Sequence, residues 1–223
     1  MLGTLYIIAT PIGNLEDITL RALSTLKSVD VILCEDTRVT KNMLDRYEIS
    51  KPLLSYHHHS DTRKTNEIKS LLEEGKNLAL VTDAGTPGIS DPGNQLVSDL
   101  VKSFGNLDII PIPGPSTLTA ILSVSGFPTD RFTFMGFPPH KNKRQKYFEE
   151  VAKTLHTVVF FESGHRIEKC LTDLEKVLEP NRELVIGREL TKKFETIYRG
   201  NISEIKKQSM NTKGEFVIVV ANI

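Results

Sequence analysis

Apolar runs alternate with amphipathic segments along the first half of the chain, and this pattern predicts βαβ units. Four short apolar runs are typical of buried strands: residues 4–9, 29–34, 78–81 and 108–111. Three intervening segments carry apolar side chains at helical spacing: residues 18–29, 64–75 and 95–105. Gly75 and Gly105 stand where these helices are expected to end. The pattern predicts a doubly wound α/β domain with a mostly parallel sheet.

The second half continues the pattern with strands that lie closer together near its end. The predicted strands are residues 132–136, 157–161, 183–188, 196–199 and 215–221. The predicted helices are residues 118–124, 143–155, 164–178 and 203–208. This spacing favours a mixed or antiparallel sheet. A proline-rich segment at residues 111–117 breaks the rhythm, so we predict two α/β domains, residues 1–113 and 114–223.

Glycine- and proline-rich polar turns follow three strands of the predicted parallel sheet. The longest covers residues 81–93, and shorter turns cover residues 9–14 and 113–117. Glycines let a ligand approach the backbone closely, and prolines fix φ. Because ligands bind at the carboxyl ends of strands in α/β proteins, we expect the three turns to converge on one site. The alternative for the long turn is an ordered structural loop without a ligand.

The composition indicates a soluble globular protein of the cytoplasm. Among 223 residues, 39% are hydrophobic and 25% charged, which is ordinary for a globular chain long enough to bury a core. The formal net charge is zero, so a polyanion would need a local basic patch. Cys34 and Cys170 are the only thiols, which favours a reducing compartment. The first residues lack the basic segment of a signal peptide, and no apolar run approaches the ~18 residues of a membrane span.

Charged residues follow the second predicted strand and supply candidates for proton transfer. Glu35 and Asp36 either cap the helix that begins near Thr37 or act as catalytic carboxylates. The histidines at positions 57–59 are consecutive, so their side chains point in different directions and do not converge easily on one ion. We therefore predict no metal site there and favour a solvated loop or a nucleic-acid contact. Neither a G-x-G-x-x-G nor a Walker motif is found.

One dense basic run begins the predicted helix at residue 143. It contains Lys141, Lys143, Arg144 and Lys146, four cations within six residues. Cations at a helix N-terminus are unfavourable, so the run suggests a phosphate partner such as RNA; the alternative is a solvated helix start. Arg38 and Lys41, one helical turn apart, form a smaller basic spot.

Six motifs in chain order resemble the tetrapyrrole methylase superfamily of class III methyltransferases, which use S-adenosyl-L-methionine. They occupy residues 9–14, 35–38, 83–93, 113–116, 161–163 and 188–190, so the resemblance covers essentially the whole chain. It implies a parallel-sheet N-terminal domain and a mixed-sheet C-terminal domain. It also implies a methyl donor in the cleft between the two domains, and usually a homodimer.

The resemblance also assigns site residues. The implied contacts of the methyl donor are Pro11, Asp83, Ala84, Gly85, Thr86, Ile89, Ser90, Ser116, Thr117, Phe161, Glu162 and Leu190. The candidate proton acceptors are Glu35, Asp36, His57 and His59. The candidate RNA contacts are Arg38, Lys141, Lys143, Arg144 and Lys146.

Within this superfamily the chain is most similar to members that act on ribosomal RNA. The resemblance then implies 2′-O-methylation of a cytidine ribose in the 16S RNA of the 30S subunit, near the decoding centre, without DNA or membrane partners. Such members usually continue with a small helical C-terminal extension, which this sequence does not show. Two alternatives remain: a porphyrin or corrin C-methyltransferase of the same fold, and a non-enzymatic RNA-binding relative. The basic run and Arg38 favour RNA over a tetrapyrrole.

Overall fold

The computed structural model describes residues 1–57 and 62–223. These residues form two compact units, Met1–Ser116 and Thr117–Ile223. Each unit contains a five-stranded sheet. In the described part of the chain, no helix is both long enough and apolar enough to cross a membrane.

The first unit is built on a parallel sheet. Its strands are β1 (Leu5–Ile8), β2 (Val31–Cys34), β3 (Leu53–Ser55), β4 (Leu78–Leu80) and β5 (Ile109–Ile112). Its helices are α1 (Leu20–Ser28), α2 (Thr37–Arg46), α3 (Thr62–Glu73) and α4 (Gly93–Ser103), with a short 3-10 helix at Leu15–Asp17. The strand order is β3-β2-β4-β1-β5, and every pairing is parallel. The predicted parallel α/β architecture is confirmed.

Helices cover both faces of this sheet, which explains why its strands are continuous apolar runs. Neighbouring side chains of a strand point to opposite faces. Ile32 of β2 packs in the core that contains Leu26 of α1, while Leu33 packs in the core that contains Ile68 of α3. Because both faces are buried, no polar residue is needed on alternate positions.

Strand β3 was missed because it has little signal of its own. It is three residues long, it directly follows Pro52, and none of its residues is fully buried. Its pairing with β2, in which Ile32 aligns with Leu53, places it at the edge of the sheet. Gly75 has a φ of +80° at the end of α3, as a C-terminal glycine should. Gly105 likewise follows the end of α4 by two residues, after the cap residue Phe104, but it does not adopt a positive φ.

The second unit contains a mixed sheet, as predicted. Its strands are β6 (Phe132–Phe134), β7 (Thr157–Ser163), β8 (Glu183–Arg188), β9 (Thr196–Asn201) and β10 (Glu215–Val220). Its helices are α5 (Thr117–Ser125), α6 (Arg144–Lys153), α7 (Ile167–Glu175) and α8 (Ile202–Lys207). The order is β6-β7-β10-β8-β9; β6 and β7 are parallel, and the other pairs are antiparallel. Its core joins Phe148 of α6, Leu174 of α7 and Ile205 of α8 to β7, β8 and β10.

Candidate functional site

Four loops of the first unit meet at the carboxyl ends of its parallel strands, and we call them the strand-end edge: residues 9–14, 35–36, 81–93 and 113–116. The loops after β1 and β4 are joined by backbone hydrogen bonds. The amide of Thr10 donates to the carbonyl of Gly85 at 2.9 Å, and the amide of Gly85 donates to the carbonyl of Thr10 at 3.1 Å. The Thr10 hydroxyl donates to the carbonyl of Thr82 at 3.0 Å.

The turn after β5 closes against the same two loops. The Thr86 hydroxyl donates to the carbonyl of Pro115 at 3.3 Å. A Cβ atom on Gly114 would lie 3.1 Å from the Cβ of Ala9, which is tighter than an ordinary contact, so glycine permits this approach. The three predicted turns therefore converge, as the sequence pattern indicated.

The loop at residues 81–93 is fixed by its own side chains. The Asp91 carboxylate accepts hydrogen bonds from the amide of Gly88 at 2.8 Å and from the amide of Gly93 at 2.7 Å. Gly85 and Gly88 adopt φ values of +85° and +88°, a region that L-residues avoid. Sequence reasoning missed this role of Asp91, although an aspartate among turn glycines commonly binds nearby backbone amides.

The implied donor contacts of the first unit lie on this edge with different exposures. Pro11 and Gly85 are buried, and Thr86 and Ser116 are half-buried. The exposed members are Asp83, Ala84, Ile89 and Ser90. The strand-end edge thus exposes both polar and apolar side chains, and the hydrogen bonds described above hold the backbone beneath them.

Three carboxylates stand side by side on this edge. The Thr82 hydroxyl donates to Glu35 Oε1, and the backbone amide of Asp36 donates to Asp83 Oδ1 at 3.3 Å. Asp36 is the N-cap of α2: it accepts from the amide of Arg38 at 2.8 Å and from the Arg38 guanidinium. These hydrogen bonds, helped by the charge of Arg38, lower the pKa of Asp36 to about 2. Such a weak base is suited to capping and poorly suited to accepting a proton at neutral pH.

The environment of Asp83 acts in the opposite direction. Partial removal from water raises the pKa of Asp83, and the charge of the neighbouring Asp36 adds to the effect, against the hydrogen bond from the Asp36 amide. The pKa values of these two neighbouring aspartates are therefore shifted in opposite directions. This separation is common where carboxylates have functional roles.

Of the two candidate histidines, the structure describes His57. His57 is exposed and directly follows the buried Tyr56 at the end of β3. His59 lies outside the described residues. Among the residues that the structure describes, no cluster of three His, Cys, Asp or Glu side chains could hold a metal ion.

The remaining implied donor contacts belong to the second unit. Thr117 is the first residue of α5, Phe161 is half-buried, and Leu190 is 9% exposed. Phe161 packs edge-on against Phe134, with 5.0 Å between ring centroids.

Glu162 has a different environment from these residues. Its side chain is fully buried; it accepts from the Ser163 amide at 2.8 Å and pairs with Arg166 at 2.7 Å and with Arg144 at 3.5 Å. Its carboxylate is engaged by these groups inside the unit, and the implied contact of Glu162 with the methyl donor stays a prediction.

Arg144 is buried, unlike the other predicted RNA contacts. Its side chain is only 6% exposed, and its Nε donates to Asp173 Oδ2 at 2.8 Å. It is a buried ion-pair residue that holds α6 against α7, so we remove it from the candidate RNA contacts. Lys141, Lys143 and Lys146 are exposed, and Arg38 is exposed while paired with Asp36.

Comparison with known proteins identifies the family. Residues 4–206 match the tetrapyrrole (corrin/porphyrin) methylases, and the chain belongs to this family. Its members are methyltransferases that in general use S-adenosylmethionine. The resemblance drawn from the six motifs is therefore confirmed.

Curated relatives share much of the sequence. A protein of Synechocystis is 46% identical over 99% of this chain and 79% of its own length. A protein of Thermotoga maritima is 44% identical over 99% of both chains. Both are named ribosomal RNA small subunit methyltransferase I.

Solved structures confirm the fold class. The methyltransferase CobJ superposes with a TM-score of 0.72 at 17% identity, covering 99% of this chain and 94% of its own. Uroporphyrin-III-C-methyltransferase of Thermus thermophilus gives 0.69 at 18% identity, with 98% and 94% covered. At such identities the likeness establishes the class III methyltransferase fold and not the substrate.

Proposed function

We propose that this chain transfers a methyl group from S-adenosyl-L-methionine to the 2′-hydroxyl of a cytidine ribose in 16S ribosomal RNA, near the decoding centre of the 30S subunit. The observation that carries the proposal is its 44–46% identity, over 99% of its length, to two proteins named ribosomal RNA small subunit methyltransferase I. The exposed cations Arg38, Lys141 and Lys143 support an RNA substrate.

The strand-end edge fits the methyl donor. A donor with an ammonium, a carboxylate and a ribose needs closely approaching backbone groups and a few polar side chains. The edge offers a backbone held by Asp91, an exposed carboxylate at Asp83 and an exposed hydroxyl at Ser90. When bound, the donor supplies an electrophilic methyl group on a positively charged sulfur. We assign the ammonium to Asp83, because a carboxylate partner compensates that charge.

The chain's own residues orient the reactants and take up a proton. Displacement at a methyl group with a good leaving group depends mainly on positioning, and a pre-ordered backbone provides it without reorganisation. The attacking ribose hydroxyl must lose its proton. Of the candidate acceptors, Asp36 already binds the Arg38 guanidinium and caps α2. We therefore assign the role of proton acceptor to Glu35, which the Thr82 hydroxyl orients. His57 is the second candidate.

The proposal is tested by incubating purified protein with 30S subunits and methyl-labelled S-adenosylmethionine. The RNA is then digested and its nucleosides are analysed by mass spectrometry. We expect the label in 2′-O-methylcytidine. Label confined to a base, or no label in RNA, would reject the proposal.

A further inference from the structure

A groove of about 480 Å³ lies between α6 and α7 in the second unit. Its charged lining consists of four cations and two carboxylates: Lys141, Arg144, Lys169, Lys176, Glu149 and Asp173. Two of these cations, Lys169 and Lys176, come from α7 and its end, and no basic run in the sequence marks them.

Helical geometry decides which lysines reach the groove. Lys169, Asp173 and Lys176 are spaced by four and three residues, so they share one face of α7. On α6, Lys146 follows Arg144 by two residues, which is about 200° around the helix, and it does not line the groove. The structure therefore divides the basic run: Lys141 belongs to the groove, and Lys146 lies outside it.

The carboxylates of the groove are already engaged. Asp173 pairs with Arg144 at 2.8 Å and with Lys176 at 3.6 Å. Glu149 accepts a hydrogen bond from the Gln145 amide at 2.9 Å. Among the described residues, the ammonium groups of Lys141 and Lys169 have no carboxylate within ion-pair distance. The groove is thus a surface with a net positive charge.

Helix stability does not explain the two unpaired lysines. Lys141 lies just before the start of α6, and Lys169 lies in the first turn of α7. Neither helix has a side-chain hydrogen bond at its N-cap, Lys143 or Arg166. Cations near helix N-termini oppose the helix dipole, whereas a bound anion would be favoured by the lysines and by the helix ends.

We propose that this groove binds the phosphate backbone of single-stranded RNA, with Lys141, Lys169 and Lys176 as the phosphate contacts. The inference rests on the proposed function, since it locates part of the RNA path on the protein. Lys169 and Lys176 lie two helical turns apart, about 10 Å along α7. That separation suits a chain of phosphates better than a single anion.

The test measures binding of a fluorescent single-stranded RNA oligonucleotide to the full chain at several salt concentrations. We expect Lys141→Gln and Lys169→Gln each to weaken binding about fivefold and to reduce the slope of log affinity against log salt by about 0.7. Lys146→Gln makes the same charge change on the opposite face of α6 and should change neither quantity. All three side chains are exposed, and unchanged thermal melting and donor binding verify that the variants are folded.

The outcomes separate this inference from the proposed function. If Lys141→Gln and Lys169→Gln bind RNA like the unchanged protein while that protein methylates 30S subunits, the groove is rejected and the function stands. An effect of Lys146→Gln as large as that of Lys169→Gln also rejects the groove. If inorganic phosphate displaces the oligonucleotide at a single site with no change of salt slope in the variants, the groove is a small-anion site instead. If the unchanged protein neither binds nor methylates RNA, both proposals fail.

Discussion

At the scale of residues, the strand-end edge gives neighbouring carboxylates different tasks. Asp36 is held by the Arg38 amide and guanidinium, and its pKa falls to about 2. Glu35 accepts from the Thr82 hydroxyl instead. The sequence alone could not separate these two residues, because capping and catalysis use the same side chains.

Paired amide substitutions test this division. Glu35→Gln should lower the single-turnover rate of methyl transfer by at least about a hundredfold, the usual contribution of a general base. Asp36→Asn should lower it little, because asparagine also caps helices well. Donor affinity, measured by calorimetry, should be similar in both variants. A larger loss of rate for Asp36→Asn would contradict the assignment.

The ionised carboxylate of Asp83 is expected to lower the free energy of unfolding at neutral pH, and we assign this side chain to donor binding. Its pKa is raised above the ordinary value of 3.8, so the folded state binds more protons than the unfolded state, and stability decreases as pH rises through that range. Asp83→Asn should therefore raise the melting temperature at neutral pH, and the gain should vanish below pH 3.8. The same variant should bind the donor more weakly.

The control for Asp83 is Asp45→Asn, which removes an exposed carboxylate paired with Lys41. It should give no gain in melting temperature. An Asp83→Asn variant that is less stable at neutral pH would show that the carboxylate stabilises the edge.

Gly85 tests whether the backbone of the loop holds the donor. Alanine at a φ of +85° should cost about 1–2 kcal/mol, and its Cβ would stand 3.4 Å from Ile12. Gly126→Ala carries the same strain at a φ of +78° with no atom within 4 Å, so it is a matched control. We expect Gly85→Ala to raise the donor Kd about tenfold, and Gly126→Ala to leave it unchanged. Equal Kd values for the two variants would contradict a role of this backbone.

At the scale of elements, a buried ion network fastens α6 and α7 to β7. Glu162 at 0% side-chain exposure meets Arg144 at 6% and Arg166 at 18%. Glu162→Gln leaves the buried guanidinium of Arg144 and the half-buried guanidinium of Arg166 with less compensation, so we expect a loss of about 3 kcal/mol in the free energy of unfolding. Lys206→Gln, which breaks an exposed pair with Glu175, should lose less than about 1 kcal/mol. Urea titration measures both, and equal small losses would refute the structural role of the network.

The elements that sequence predicted well are those whose signal is local. A continuous apolar run such as β4 and an amphipathic segment such as α4 can each be recognised from their own residues. Strand β3 does not, since three half-buried residues become a strand only by pairing with β2. Arg144 was misplaced for a similar reason: a basic run in the sequence does not reveal that one member pairs with Glu162, eighteen positions away.

In the candidate site, too, the sequence did not reveal contacts between residues that are distant along the chain. Glycines and prolines after the strands revealed that the three turns converge, because parallel strands end at one edge of a sheet. The hydrogen bonds that fix residues 81–93 through Asp91, and the link from Thr86 to Pro115, required the structure.

At the scale of the whole molecule, the fold and the substrate rest on different observations. Solved structures named as uroporphyrin-III and cobalt precorrin-4 methyltransferases share the fold at 15–18% identity, which does not transfer their substrates. Curated ribosomal RNA methyltransferases share 42–46% of the sequence, which favours RNA. The central claim is therefore about which acceptor receives the methyl group.

A competition between acceptors tests that claim most directly. The protein is given methyl-labelled S-adenosylmethionine with 30S subunits and uroporphyrinogen III in one reaction, and the label is traced in both fractions. We expect label in the ribose of 16S RNA and none in the tetrapyrrole. Label in the tetrapyrrole, with unlabelled RNA, would contradict it.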